Sequence, residues 1–133
     1  MKRLLDTNAY VALKRNHLQV AELVRDSSEL VFSMVVVGEL LFGFRNGTRF
    51  DRNVKELDEL LTNDRVSVLA VTRTTADRFG RLAAALRKVG KPIPTNDIWI
   101  AATAARAGAI VLTYDDHFRA VTRVGSSVLE AER

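Results

Sequence analysis

Arg3-Leu4-Leu5-Asp6-Thr7-Asn8, running on into Ala9-Tyr10-Val11-Ala12-Leu13, decides the fold. Arg3 to Leu5 reads as a short buried strand, and Thr7 to Leu13 as a helix with Asp6 or Thr7 as its N-cap. A second helix spans Leu18 to Arg25, with Val20, Leu23 and Val24 on one face. The pattern then repeats. Leu30-Val31-Phe32 is the next strand, and Ser33 caps a helix running through Phe44. Asn46-Gly47-Thr48 breaks that helix, and the next one places Phe50, Val54, Leu57 and Leu61 at helical spacing. Val66 to Val71 is a third strand. Thr72 or Thr74 starts a long helix with Ala76, Phe79, Ala83 and Leu86 inward, ended by Gly90. Lys91-Pro92-Ile93-Pro94 is an extended connector, because both prolines resist helix. Thr95 or Asn96 caps a helix from Asp97 to Ala107, which Gly108 terminates. Ala109 to Leu112 is a fourth strand, and Val128-Leu129 a short fifth. Strands alternating with helices predict an α/β fold whose central, mostly parallel sheet of 4–5 strands is flanked by helices. A length of 133 residues predicts one domain over 1–133.

Four acids stand where apolar segments start, end or are interrupted. Asp6 ends the first strand, Glu39 interrupts Val35-Val36-Val37-Gly38 and Leu40-Leu41, Asp97 opens Ile98-Trp99-Ile100-Ala101-Ala102, and Asp115 follows Ile110-Val111-Leu112-Thr113-Tyr114. Isolated carboxylates are expensive to bury and need compensation. In sheets of this type ligands bind beyond the carboxyl ends of the strands, where Asp6 and Asp115 fall. Gathered there, the acids call for a divalent metal, and the natural chemistry is phosphodiester cleavage.

Each acid also has a plainer account. Asp6 fits a helix cap in an Asp-Thr-Asn turn, and Asp97 gains from the dipole of the helix it opens. That helix, however, carries only Arg106 as a further charge and is rich in alanine, so it should be buried with Asp97 at the mouth of the core. Asp115 and Asp116 share a strand-to-helix turn, one suited to capping and the other to ligation. Glu39 is hardest to dismiss, because its helical neighbours Val35, Val36, Phe42 and Gly43 would be exposed along with it.

Composition narrows the classes. Cysteine is absent, which excludes disulfides and thiolate metal sites. No apolar stretch is long enough to span a bilayer, and Leu4-Leu5 is too short for a signal peptide, so the expected location is cytoplasmic with no membrane contact. The net charge of +4 decides nothing alone, but with four acids in one site the remaining surface is more basic and suits a phosphate backbone. His17 and His117 are too few for a structural zinc site and read as surface or turn residues. The glycines match no phosphate loop, so no nucleotide cofactor is implied. Trp99 reads as a core anchor. A receiver domain would want an Asp after the third strand, and a haloacid-dehalogenase phosphatase an Asp where Asn8 stands.

The chain resembles the PIN-domain ribonucleases, specifically VapC-type toxins of VapBC toxin–antitoxin pairs. The resemblance rests on Leu5-Asp6-Thr7-Asn8, on Val37-Gly38-Glu39-Leu40 with Gly43, on Gly90-Lys91-Pro92-Ile93-Pro94-Thr95-Asn96-Asp97 with Ile100-Ala101-Ala102, and on Leu112-Thr113-Tyr114-Asp115 with Phe118. It extends over essentially the whole chain, and the family's Thr-x-Asp-x-x-Phe pattern selects Asp115 over Asp116. The resemblance implies a three-layer fold, an acidic pocket holding Mg²⁺ or Mn²⁺, RNA cleavage, a homodimer, and a VapB-type antitoxin that blocks the site in a hetero-oligomer. Asp6, Asp97 and Asp115 would then be metal ligands, directly or through water, and Glu39 would hold metal-bound water or complete the shell. Thr7, Asn8, Asn96 and Thr113 would supply supporting hydrogen bonds, and Lys91 and Arg87 would hold the RNA backbone. Phe42, Phe44 and Phe50 exceed what one helix buries inward, and suit either an apolar groove for the antitoxin or closure of the core or of the homodimer interface. Two other readings carry different expectations: a related nuclease acting on DNA or in RNA maturation without an antitoxin, and an inactive RNA- or protein-binding domain.

Overall fold

The computed structural model describes residues 1–121 and 126–129. Its elements in chain order are β1 (Lys2–Leu5), α1 (Thr7–Lys14), α2 (Leu18–Arg25), β2 (Glu29–Ser33), α3 (Met34–Arg45), α4 (Phe50–Leu61), β3 (Val66–Leu69), α5 (Arg73–Lys88), α6 (Thr95–Ala107), β4 (Ile110–Thr113), a 3₁₀ turn (Asp116–Ala120) and β5 (Ser126–Val128). The strands form one sheet in the order β3-β2-β1-β4-β5, every neighbouring pair parallel. Consecutive residues Leu4 and Leu5, Val31 and Phe32, and Val111 and Leu112 are all buried. Successive strand residues face opposite sides, so both faces of the sheet are covered and the architecture has three layers. Helix α6 touches β1, β2 and β4, while α1 touches β1 and β4, α3 touches β2 and α4 touches β3.

The order of the strands positions everything that follows. The chain builds outward from β1 through β2 to β3, then crosses back to lay β4 on the other side of β1. The direction of winding therefore reverses between β1 and β4, and such a switch leaves a crevice at the carboxyl ends of the two strands. Register there is set by Leu5 opposite Leu112 and by the Asp6 N–H donating to the Leu112 carbonyl at 3.2 Å.

Several expected boundaries move. The third strand ends at Leu69 rather than Val71, because its last pairing partner is Ser33, where β2 itself gives way to helix. Thr72, not Thr74, starts α5, closed by reciprocal hydrogen bonds between Thr72 and Thr75. The buried face of that helix is Thr75, Leu82 and Leu86, with Phe79 and Ala83 half-buried; Ala76 is exposed, contrary to its expected inward position. Helix α6 begins two residues before Asp97 at Thr95, and its N-cap is Pro94 without a side-chain cap. It is buried at Ile98, Ile100 to Ala102, Thr103 and Ala104, as its apolar circumference requires. Trp99 stacks on Phe79 with ring centroids 4.1 Å apart, joining α6 to α5.

Two glycines make the backbone energetics testable. Gly108 closes α6 in the left-handed conformation with φ +66, and a Cβ there would meet nothing within 4 Å. Gly80 lies exposed within α5, also with free space around a Cβ, but at ordinary helical geometry. Gly108→Ala should therefore cost about 1 kcal/mol through backbone strain alone, and Gly80→Ala should add about 1 kcal/mol through helix propensity. Urea unfolding of the two variants should give midpoints displaced in opposite directions.

Candidate metal centre

Asp6 follows β1 directly and is buried at 6% exposure, the most enclosed carboxylate among the described residues. One of its oxygens accepts the Ala9 N–H at 2.8 Å and so caps α1. The other accepts the Thr113 hydroxyl, which belongs to the end of β4. The cap expected of Asp6 thus uses one oxygen, and the other is tied to the end of β4. Burial pushes the Asp6 carboxyl from an ordinary 3.8 up to about 6, against the pull of those two donors and with further upward pressure from the Asp97 and Asp115 charges.

Asp115 caps the 3₁₀ turn, accepting the His117 N–H at 3.0 Å. Its own N–H donates to Thr113 Oγ1 at 2.9 Å. Thr113 therefore bridges Asp6 and Asp115, its hydroxyl donating to one and accepting from the backbone of the other. Asp116 diverges from this arrangement: its side chain is exposed and ion-pairs with Arg119 at 2.9 Å. Asp97 arrives from the first turn of α6, with 18% of its side chain exposed. Burial raises its carboxyl as well, with the Asp115 and Glu39 charges adding to the rise and His117 opposing it. Glu39 projects from the middle of α3 and accepts the Thr7 hydroxyl at 2.8 Å.

The tightest group among the described residues is not the four acids. It is Asp97, Asp115 and His117, whose potential ligand atoms all lie within 4.8 Å of one another. His117 Nδ1 stands 2.9 Å from Asp115 Oδ1 and 3.3 Å from Asp97 Oδ2. A turn residue it is, but not an idle one. Asp6 and Glu39 are outside this trio and reach it through their charges.

The expected supporting residues divide. Thr7 and Thr113 hold site carboxylates, whereas Asn8 and Asn96 are exposed and, among the described residues, make no hydrogen bond to them. Arg87 and Lys91 are exposed at the end of α5 and the start of the connector. The apolar neighbours of Glu39 are not all buried, contrary to expectation. Val36 is buried, but Phe42 is 69% exposed and Gly43 is open, so the Glu39 face of α3 does not enter the core. It borders a groove of about 630 Å³. Thr7 and Glu39 stand at the carboxylate end, Tyr10, Val11, Leu40 and Phe44 supply apolar wall, and Lys14, Arg49 and Arg52 supply positive charge. Of the three phenylalanines only Phe44 lines it; Phe42 points to solvent, and Phe50 lies under the Arg45 guanidinium at 4.4 Å.

This donor set suits a hard divalent cation. It is rich in carboxylate oxygen, contains no sulfur, and includes acids whose repulsion is relieved only by protons or by positive charge. No helix among the described residues is long and apolar enough to cross a membrane.

The family model described as PIN domain matches residues 3–124. Ribonuclease VapC1 of Haemophilus influenzae is 33% identical over 116 residues, covering 84% of this chain and 85% of that protein. Ribonuclease VapC2 of the same species is 31% identical over 115 residues, covering 85% and 86%. The solved structure of VapBC-1 from nontypeable Haemophilus influenzae superimposes with a TM-score of 0.82 at 27% identity, covering 96% of this chain and 98% of that one.

The raised Asp6 carboxyl has a signed consequence for stability. A carboxyl that binds its proton more tightly when folded stabilises the native state at low pH, and that contribution is lost as pH rises from its unfolded value near 3.8 through about 6. In metal-free buffer, Asp6→Asn should therefore gain melting temperature relative to the parent as pH goes from 4 to 7. The difference should level off above pH 7. Thermal melts in EDTA across that range provide the measurement, and a constant difference between the two proteins would contradict the raised value.

Proposed function

The chain belongs to the PIN-domain family, and from that premise we propose that it is a metal-dependent endoribonuclease serving as the toxin of a type II toxin–antitoxin pair. Residues 1–133 would form one catalytic domain. The observation that carries it is the electrostatic coupling of Asp6, Asp97 and Asp115 at the carboxyl ends of β1 and β4, with two of the three carboxyls driven upward by burial and by one another. A structural role would favour pairing these acids with Lys or Arg. Here the cationic side chains bordering the adjacent groove, Lys14 and Arg52, are engaged by Glu56 instead.

In this reading Asp6, Asp97 and Asp115 hold Mg²⁺, with Mn²⁺ able to replace it, and Glu39 holds a water or completes the shell. When bound, the ion supplies an acidified water and neutralises charge on the leaving 3′ oxygen. The chain's residues orient the rest. The Thr113 hydroxyl fixes the outer oxygen of Asp6, its Oγ1 anchors the Asp115 backbone, and Thr7 aims Glu39. Arg87 and Lys91 stand on the stretch leading to Asp97 and are proposed to engage the RNA backbone electrostatically.

VapC1 and VapC2 bear the name ribonuclease, and the VapBC-1 structure supports an antitoxin as partner. For this chain the groove fits an amphipathic segment of a VapB-type antitoxin: an apolar face over Tyr10, Val11, Leu40 and Phe44, and a basic residue reaching past Thr7 to the carboxylates. The functional unit is proposed to be a homodimer that becomes a hetero-oligomer with that antitoxin.

Labelled RNA should be cut in Mg²⁺, not in EDTA, and the same sequence as DNA should survive; cleavage of DNA alone would favour the deoxyribonuclease reading. Asp6→Asn, Asp97→Asn, Asp115→Asn and Glu39→Gln should abolish cleavage. Thr113→Val should lose roughly 10–100-fold, as expected for a residue that only orients a ligand. Asp116→Asn should stay near the parent rate. Phe44→Asp should lose co-purification with the antitoxin and still cut RNA; a variant that remains inhibited would move the partner to another surface.

A further inference from the structure

We propose that His117 is itself a ligand of the catalytic ion, giving this carboxylate site one nitrogen donor and a preference for Mn²⁺ over Mg²⁺. The inference rests on the metal-dependent reading above and adds to it the identity of a ligand. Ligands at neighbouring corners of an octahedron, bonded at about 2.1 Å, stand about 3 Å apart. His117 Nδ1 lies 2.9 Å from Asp115 Oδ1 and 3.3 Å from Asp97 Oδ2, each close to the separation of two neighbouring ligands of one small ion. One potential ligand atom from each of the three residues lies within 4.8 Å of the other two.

The position of the imidazole is built rather than incidental. The His117 N–H donates to Asp115 Oδ1, so the same turn orients the carboxylate and the ring. The next residue, Phe118, is 1% exposed and anchors the turn in the core. Asp116 and Arg119 pair with each other on the solvent side and leave the ring directed at Asp97 across the crevice. Asp97 comes from a different element, α6, so the two carboxylates and the ring converge only in the folded chain.

A simpler role would make His117 a counter-ion that neutralises the two acids and leaves when metal arrives. The two roles differ in one respect: only a ligand has its nitrogen bonded to the ion. A first-row transition ion such as Mn²⁺ accepts an imidazole nitrogen more readily than Mg²⁺, which keeps to carboxylate and water oxygens. A ligand role therefore predicts discrimination between Mn²⁺ and Mg²⁺ that depends on this side chain.

The test uses Mn²⁺ as a spin probe on the full-length chain without RNA. Electron spin-echo envelope modulation of the Mn²⁺-loaded protein should show ¹⁴N coupling from a directly bound imidazole. Uniform ¹⁵N labelling of histidine should replace the ¹⁴N pattern, and His117→Ala and His117→Gln should both abolish it, while His17→Gln should retain it. Titration calorimetry should show Mn²⁺ affinity falling by roughly tenfold or more in His117→Ala, with Mg²⁺ affinity changing by less. Using two substitutions separates loss of the donor from a local folding defect, which circular dichroism would detect in one and not the other. Bound Mn²⁺ with no nitrogen coupling in the parent chain would overturn the ligand role and leave the metal-dependent reading standing. No Mn²⁺ binding by the parent would overturn both. Tighter Mn²⁺ binding by His117→Ala would identify the ring as a displaced counter-ion and also overturn the proposal.

Discussion

Everything at the carboxyl edge of this sheet depends on a buried carboxylate at the end of its central strand. Asp6 is placed there by β1, and the neighbouring strand β4 supplies Thr113 to meet it. A parallel pair slipped by one residue would turn the opposing side chains to the other face. Thr113 would leave Asp6, and Asp115 would lose the Oγ1 acceptor that fixes its backbone. Strand register and site geometry are therefore one constraint. The apolar pairs Leu4 with Val111 and Leu5 with Leu112 enforce it from the core side.

The same arrangement works against the stability of the fold. Asp6 and Asp97 are both held above the ordinary carboxylate range, chiefly by burial, and Asp115 adds repulsion to each. Part of the cost is offset locally. The Ala9 N–H and the Thr113 hydroxyl favour the charged form of Asp6, and the N-terminus of α6 favours a negative Asp97. The remainder is available to whatever positive group binds, because binding is strengthened by the repulsion it removes. Helix α6 shows how such strain is tolerated. Its nearly continuous apolar circumference fixes it against three strands, so its first turn has no freedom to withdraw Asp97.

Much of this is readable in the amino-acid sequence. Short runs such as Leu4-Leu5 and Val31-Phe32, ending in Asp6 and Ser33, identify strands buried on both sides and the helices they feed, because burial and capping are local properties of the chain. Asp6, Asp97 and Asp115 stood out for the same reason: each interrupts or bounds an apolar run. What depends on partners distant in sequence was less legible. Val71 continues the β-rich pattern of the third strand, yet the strand stops at Leu69 because β2 offers no partner beyond Ser33. The apolar neighbours of Glu39 suggest a buried helix face, but exposed Phe42 and Gly43 show that its helix borders a groove. His117 carried no periodic signal at all. Its place follows from a turn anchored by Phe118 and from Asp97, twenty residues away, which no local pattern relates to it.

The continuity between groove and carboxylates gives the proposed inhibition a physical form. Glu39 and Thr7 belong to the groove wall, and the Glu39 charge acts on Asp97, so a segment lying on Tyr10 and Phe44 would extend toward the charges proposed to hold a metal. Apolar contact along the groove would supply affinity, and a terminal cation would relieve the same repulsion that a divalent ion relieves. Two ligands that draw on one electrostatic strain cannot both collect it in full, so their binding is negatively coupled even where they do not collide. By reciprocity, conditions that load the metal must weaken the hold of the partner by the same factor. A toxin built this way needs no conformational switch to be silenced. In the proposed reading, the acidity that would serve catalysis would also anchor the inhibitor.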